Sequence, residues 1–227
     1  MEEAFSQAQK KEESQLGQWV LSNLVENARI AQMGPLPLCQ DTGMLVVFAQ
    51  VGQDVHFVGG NWEDAIADGV REAYCSGYLR KSVVSHPLWR ENTGDNTPPV
   101  IHTRIVPGEQ VKLWIMPKGF GSENKSQLFM LNPTEGIEGV KKAVVETVKK
   151  AGGSPCPPTV VGVGVGGTME KACLLAKWAL ARPIGEPAED ERVAQLEQEI
   201  LAELNNLGIG PGGLGGRVTS FAVHMET

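Results

Sequence analysis

The chain has 227 residues, of which 41% are hydrophobic and 21% charged, and its formal net charge at pH 7 is −7. This composition is typical of a globular protein with a sizeable core, and the negative charge with scattered lysines and arginines argues against nucleic-acid binding. The polar N-terminal sequence lacks the apolar region of a secretory signal, and no apolar run is long enough for a membrane span. We therefore predict a cytoplasmic protein that binds neither nucleic acid nor membrane.

The first part of the chain predicts two helices separated by a strand. A helical pattern extends to about Gln32, a Gly-Pro sequence at 34–38 ends it, and the apolar, β-branched run at 43–52 predicts a strand. Asn61 is the predicted N-cap of the second helix. That helix carries one apolar face, formed by Trp62, Ile66, Val70 and Tyr74.

The middle of the chain contains two long loops around a pair of strands. Residues 85–99 are dense in turn-forming residues and predict a long loop, which is often functional. Residues 100–118 predict two strands paired around a Pro-Gly-Glu turn. The glycine-bearing segment 118–126 is either an ordinary turn or a cradle of backbone N–H groups for a carboxylate.

The last part predicts a helix that ends at a Gly pair, a strand entering a Gly-rich turn, two more helices and a final strand. We therefore predict a single domain of the α+β (or α/β) class, with a mixed β-sheet flanked by helices. The chain stops directly after an alternating apolar pattern, which slightly favours a shortened chain over a natural edge strand.

Cysteines lie in two kinds of sequence context. Cys39 and Cys156 each occupy a proline-rich bend that would hold a thiolate at a fixed point, so each is either a metal or cluster ligand or a buried thiol. Their large separation excludes a local Cys-x-x-Cys site. Cys75 and Cys173 lie within amphipathic helices, and we predict that they are small structural residues of the core.

The run Gly162–Gly167 matches the pattern GxGxxG between a strand and a helix. It permits three interpretations: a nucleotide-binding turn, an anion site at the helix N-terminus, or close packing of the strand and the helix. The sequence predicts no second parallel strand ending in an acidic residue that would bind a ribose, which weakens the nucleotide interpretation.

Six segments together resemble the alpha subunit of one enzyme family, the iron–sulfur hydro-lyases, which comprise class I fumarases and two-subunit tartrate dehydratases. The resemblance covers nearly the whole chain. The segments are LCQDTGM, YLRKSVV, NTGDNTPPVIH, KGFGSENKS, GGSPCPPTVVGVGVGGTMEKACLLAK and LGIGPGGLGG.

This resemblance implies a [4Fe–4S] cluster held by three cysteines, with one iron open to substrate. Cys39 and Cys156 match the first two ligands. The third ligand and a functional histidine follow the segment matched here by Val223–Thr227, so both are expected to be absent from this chain. Residues 1–227 would then be an alpha-type catalytic domain lacking its C-terminal segment, with the cluster absent or incomplete.

The resemblance also implies the residues that meet the substrate. Gln40 and Asp41 would be catalytic and substrate-binding groups beside the open iron, and Arg80 would bind a substrate carboxylate. Gly119 and Gly121 would line the pocket. The catalytic base and further cationic groups would come from a beta subunit, so the chain alone is expected to be inactive and to work in a heteromer or dimer.

We predict the hydration of fumarate to (S)-malate, a reaction of the tricarboxylic acid cycle, as the activity. The nearest alternative is L(+)-tartrate dehydration to oxaloacetate by the same scaffold. Two alternatives of other classes are a nucleotide-binding module that uses Gly162–Gly167 and a cluster-free scaffold that only assembles with a partner.

Overall fold

The computed structural model describes residues 1–34 and 36–227, so Pro35 in the predicted Gly-Pro break lies outside the described residues. Within this part of the chain the helices are α1 (Glu2–Lys11), α2 (Gln15–Met33), α3 (Trp62–Ser76), α4 (Phe120–Glu123), α5 (Gly136–Ala151), α6 (Met169–Ala179) and α7 (Glu191–Asn205). The strands are β1 (Met44–Gly52), β2 (Val100–Val106), β3 (Val111–Lys118), β4 (Thr159–Gly164) and β5 (Ser220–Glu226).

The strand β1 lies at the centre of a three-stranded mixed sheet. It pairs in parallel with β2 and antiparallel with β3. Nearly all residues of β1 are buried, whereas those of β2 and β3 are largely exposed. The most apolar strand thus occupies the centre, where both faces can be covered. The predicted pairing of β2 with β3 is therefore wrong, although both strands form where they were predicted.

The turn between β2 and β3 crosses the end of β1. The Gly52 N–H donates to the carbonyl oxygen of Gln110 at 2.8 Å, and the Gln53 N–H donates to that of Val106 at 2.7 Å. A Cβ atom on Gly52 would lie 2.3 Å from the Gly108 carbonyl oxygen. Glycine at this position lets the two backbones approach closely.

Helix α3 covers part of this sheet and confirms the predicted N-cap. The Asn61 side chain accepts the N–H groups of Glu63 and Asp64 at 2.8 and 3.1 Å. The buried side chains between helix and sheet are Leu45, Val47, Val70 and Tyr74.

A second sheet contains the parallel pair β4 and β5. Helices α5 and α7 pack against this pair through one apolar core, formed by Val144, Val148, Val163, Ile200, Leu204, Val223 and Met225. Arg182 binds the buried carboxylate of Glu197 at 2.7 Å and the half-buried carboxylate of Glu226 at 3.0 Å. This ion-pair network fixes the end of β5.

The first helical pattern breaks into two helices at Glu12, so the prediction of one continuous helix to Gln32 is wrong. The Glu12 carboxylate accepts the N–H groups of Ser14, Arg217 and Val218 at 2.9 to 3.1 Å. These bonds require an extended backbone at Glu12, with ψ at 127°, which ends α1. A tertiary contact therefore sets this boundary.

The α+β class predicted for the chain is confirmed, with helices beside mixed and parallel sheets. The chain divides into two compact units. The first unit comprises Met1–Asn27 and Gly121–Thr227, and the second comprises Ala28–Phe120. Among the described helices, none is both long and apolar enough to cross a membrane.

Candidate active site

The segment that follows Cys39 exposes polar groups beside the thiol. Cys39 and Gln40 are exposed, and Asp41 is half-buried. The Asp41 N–H donates to the Cys39 sulfur at 3.4 Å, and the Cys39 thiol lies 3.5 Å from the Gln40 Oε1. Backbone N–H donors to sulfur are the type of contact that tunes cysteine ligands of iron–sulfur clusters. The donor chemistry and exposure of Cys39 therefore fit a cluster ligand.

Gly43 anchors this segment to the end of β3. Its φ is +53°, a region that favours glycine. A Cβ atom there would lie 1.8 Å from the Lys118 carbonyl oxygen. Any larger residue would displace either the segment or the strand.

Gly119 and Arg80 lie beside the same segment. A Cβ atom on Gly119 would lie 2.8 Å from the Asp41 Oδ2, so the backbone at Gly119 lies directly against that carboxylate. The Thr42 hydroxyl donates to the Arg80 carbonyl oxygen at 3.1 Å, and the Arg80 side chain is exposed. Within the unit Ala28–Phe120, the structure thus brings together Asp41, Gly119 and the backbone of Arg80.

The buried side chains of Tyr74 and Asn96 hold the segments that contain Asp41 and Arg80. Neither residue was predicted from the sequence as a functional candidate. The Tyr74 hydroxyl donates to the Thr42 carbonyl oxygen at 2.9 Å, and the Asn96 amide contacts Gly43, Ser82 and Val83. Burial raises the pKa of Tyr74 and outweighs the opposing hydrogen bonds with Thr42 and Asn96, so the hydroxyl stays a donor at neutral pH. Asn96 was the residue in the sequence that could have indicated this anchor, because asparagine tolerates a positive φ better than most residues. Its φ in the structure is +63°.

Cys156 lies in the other unit, in a bend stabilised by a glycine loop. Its φ is +53°, its side chain is exposed, and its N–H donates to the Gly153 carbonyl oxygen at 3.1 Å. The next residue, Pro157, accepts the Gly212 N–H at 2.8 Å. A Cβ atom on Gly213 would lie 2.4 Å from the Gly153 Cα. The motifs GGSPCPP and PGGLGG thus pack backbone to backbone.

Gly121 also belongs to this unit, within the short helix α4. The Glu123 carboxylate at the end of α4 forms an ion pair with Lys177 of α6. The segment predicted as a glycine-bearing loop therefore contains one helical turn fixed to α6 by charge.

All four cysteines are free thiols on exposed residues. The alternative of buried thiols at Cys39 and Cys156 is therefore wrong, and so is the prediction that Cys75 and Cys173 are core residues. Cys75 follows the buried Tyr74 by one helical position, about 100° around α3, and so points away from the core. Cys173 is offset in the same way from Ala172, which faces β4.

The glycines of the GxGxxG run pack β4 against α6. A Cβ atom on Gly162 would lie 2.2 Å from the Ala176 carbonyl oxygen, and one on Gly164 would lie 2.0 Å from that of Ala172. The prediction of no second parallel strand with an acidic end is wrong, because β5 is parallel to β4 and ends at Glu226. That carboxylate is bound by Arg182. These contacts favour the packing interpretation over a nucleotide-binding turn.

Over the described ranges, 1–34 and 36–227, no group of three or more His, Cys, Asp and Glu residues is arranged to hold a metal ion. The candidate thiolates are thus two separate donors, one in each unit.

The family model for fumarate hydratase (Fumerase) matches residues 1–227. The chain belongs to this family. The resemblance to the hydro-lyases called fumarases and tartrate dehydratases is therefore confirmed, and the chain is a hydro-lyase by family.

Several curated relatives match this hydro-lyase chain over almost its full length. The "Putative L(+)-tartrate dehydratase subunit alpha" of Methanocaldococcus jannaschii is 44% identical over 229 residues, covering 98% of this chain and 80% of the relative. The L(+)-tartrate dehydratase subunit alpha of Escherichia coli strain UTI89 is 33% identical and that of strain K12 is 31% identical, each with 74% of the relative covered.

Proposed function

We propose that this chain is the alpha-type subunit of a hydro-lyase that reversibly hydrates fumarate to (S)-malate. The observation that carries the proposal is the meeting of Asp41, Gly119 and the Arg80 segment in one unit. These residues come from three separate parts of the sequence, and each was predicted as a substrate contact. The match to the fumarate hydratase family model over residues 1–227 supports the same reaction.

Each of these residues has a chemical role in the proposal. The Arg80 guanidinium binds one substrate carboxylate through a bidentate pair of hydrogen bonds. Gln40 and Asp41 hydrogen-bond the hydroxyl or water that is added or removed, and they orient it for proton transfer. Gly119 leaves room for substrate because it has no side chain, and Gly121 is a further proposed substrate contact.

A [4Fe–4S] cluster belongs to the proposal, supported by the family resemblance and by the exposure of both candidate thiols. Cys39 and Cys156 would each supply one thiolate, and both are exposed. When bound, such a cluster supplies a Lewis acid that activates the water or hydroxyl. We propose that the remaining ligand, the catalytic base and further cationic groups lie outside residues 1–227.

A beta subunit is the proposed partner, because the relatives are themselves named as alpha subunits. The expected assembly is a heteromer that works in the cytoplasm, and its catalysis needs both subunits.

L(+)-tartrate is the second candidate substrate, and the names of the relatives favour it. Tartrate differs from malate by one hydroxyl, so the same carboxylate-binding groups suit both diacids. The reaction would be dehydration of tartrate to oxaloacetate.

One experiment separates these candidates. The chain is co-expressed with the proposed beta subunit, the cluster is reconstituted anaerobically, and kcat/KM is measured with fumarate, (S)-malate and L(+)-tartrate. We expect at least a tenfold preference for fumarate and malate, and turnover of tartrate alone would replace the first candidate with the second. Arg80→Lys should raise KM about tenfold because the bidentate contact is lost, whereas Arg192→Lys at the exposed start of α7 should have no effect.

The presence of the proposed cluster can be measured separately from catalytic activity. Broad visible absorbance should appear after reconstitution of the complex and should be lost in Cys39→Ser and in Cys156→Ser. Cys75→Ser is the matched control, because Cys75 is also an exposed free thiol. Absorbance that survives both ligand substitutions would contradict the assignment of these two cysteines as ligands. A wild-type complex that shows no such absorbance after reconstitution would favour the cluster-free scaffold.

A further inference from the structure

Asn96 is a polar side chain with no exposure to solvent, at 0%. It lies in the long loop before β2, where most neighbouring residues are exposed. Its backbone has a φ of +63°, which asparagine adopts more readily than most residues. A buried amide is costly unless its donors and acceptors are bonded, so its partners explain its place in the loop.

The amide bonds to two segments at once. Its Oδ1 accepts the N–H groups of Ser82 and Val83 at 2.7 and 3.0 Å. Its Nδ2 donates to the Gly43 carbonyl oxygen at 3.0 Å. One side chain therefore links the segment after Arg80 to the segment after Asp41.

Each residue that Asn96 binds lies close in sequence to a proposed substrate contact. Ser82 follows Arg80 by two residues, and Gly43 follows Asp41 by two residues. The hydroxyl of Thr42 makes a second link, because it donates to the Arg80 carbonyl oxygen at 3.1 Å. The side chains of Gln40 and Arg80 are themselves exposed, so their geometry depends on these backbone anchors.

We propose that Asn96 is a positioning residue for dicarboxylate binding. It acts through the backbone and holds the Arg80 segment and the Gln40–Asp41 segment in one arrangement, without itself contacting substrate. The inference rests on the proposed function, since Arg80 and Asp41 are substrate contacts only there. A misplacement of about 1 Å in such groups can reduce the rate about a hundredfold.

Two substitutions separate the bonds made by the amide. Asn96→Gly removes the side chain while keeping a residue suited to positive φ. Asn96→Asp keeps the oxygen that accepts Ser82 and Val83 but loses the donor to Gly43. Both variants are studied in the reconstituted two-subunit complex, with KM, kcat and amide hydrogen exchange of residues 40–44 and 80–84 as readouts.

We expect Asn96→Gly to raise KM about tenfold or more and to speed exchange in both segments. Asn96→Asp should speed exchange in residues 40–44 and leave Ser82 and Val83 protected. Asn61→Ala is the matched control, since Asn61 lies in the same unit and also accepts two backbone N–H groups. The control should lower Tm by about 3 °C and leave KM and both exchange patterns within twofold of wild type.

The proposal is overturned if Asn96→Gly leaves KM within twofold of wild type, or if neither segment exchanges faster. If the wild-type complex turns over neither fumarate nor tartrate, the proposed function fails instead. In that case amide hydrogen exchange of Asn96→Gly alone tests whether Asn96 holds the two segments together. Faster exchange in both segments supports this role, and unchanged exchange overturns it.

Discussion

The two compact units stabilise their loops by different chemistry. In the unit that contains Cys39, the fully buried loop anchors are neutral groups, the Tyr74 hydroxyl and the Asn96 amide, and the partly exposed Asp95 carboxylate accepts the Thr97 N–H at 3.0 Å. In the unit that contains Cys156, the buried anchors are carboxylates, Glu12 at 2% exposure and Glu197 at 5%. Both solutions satisfy buried backbone groups, but the most buried anchors are neutral in the first unit and carboxylates in the second.

The carboxylates each serve several donors. Glu197 accepts the Met225 N–H at 2.6 Å and binds Arg182 at 2.7 Å. Burial is the largest single influence on the pKa of Glu12 and raises it, but the bonds from backbone N–H groups together outweigh burial and lower the pKa. An ionised Glu12 therefore stabilises the folded chain above its unfolded pKa, and this stabilisation is lost as the pH falls through the folded pKa. Acid should therefore weaken the bonds made by Glu12 while the bonds made by Tyr74 and Asn96 persist.

The largest effect should come from the close backbone approach at Gly43, in the unit that contains Cys39. Gly43→Ala places a Cβ atom 1.8 Å from the Lys118 carbonyl oxygen, so we expect a loss of about 4 kcal/mol in the free energy of unfolding by urea. Gly59→Ala is the matched control, because Gly59 also has a positive φ, +87°, with nothing near its Cβ position. It should cost about 1 kcal/mol. Equal losses in the two variants would contradict the close approach at Gly43.

The buried carboxylate comes next. Glu12→Ala leaves the N–H groups of Ser14, Arg217 and Val218 without their acceptor, and we expect a loss of about 3 kcal/mol in urea unfolding at pH 7. Glu13→Ala is the control, because Glu13 is 72% exposed and forms a surface ion pair with Arg217. It should change stability by less than about 0.5 kcal/mol. A loss of similar size at both positions would show that Glu12 is not a special anchor.

The smallest effect concerns His224 and pH. Burial, followed by the charge of Arg182, lowers the pKa of His224, so the folded chain keeps it neutral while the unfolded chain takes up a proton below about pH 6.5. Its contribution to stability is therefore present above that pH and lost as the pH falls towards the folded pKa. Between pH 7 and 5.5 we expect the wild type to lose about 1 kcal/mol more than His224→Gln in urea titrations. Parallel pH profiles of the two proteins would exclude this role.

Much of the secondary structure and several site candidates followed from the sequence. The apolar run of β1 and the Asn61 cap are local signals, and both were confirmed. Gln40, Asp41, Arg80 and Gly119 were proposed from motifs, and the structure groups the last three by backbone contacts that the motifs do not contain. The exposure of Cys75 and Cys173 was missed because a helical pattern does not fix which side of a boundary residue faces the core.

The family, most of the elements and the residue types available for chemistry could be predicted from the sequence, because side-chain periodicity, caps and motifs act over a few residues. The central strand of the sheet, the end of α1 and the buried amide that joins the site loops became clear only in the folded chain. These features depend on competition between distant segments for burial and for hydrogen-bond partners. Glu12 bonds to Val218 and Asn96 bonds to Gly43, and in each pair the two residues are far apart in the chain.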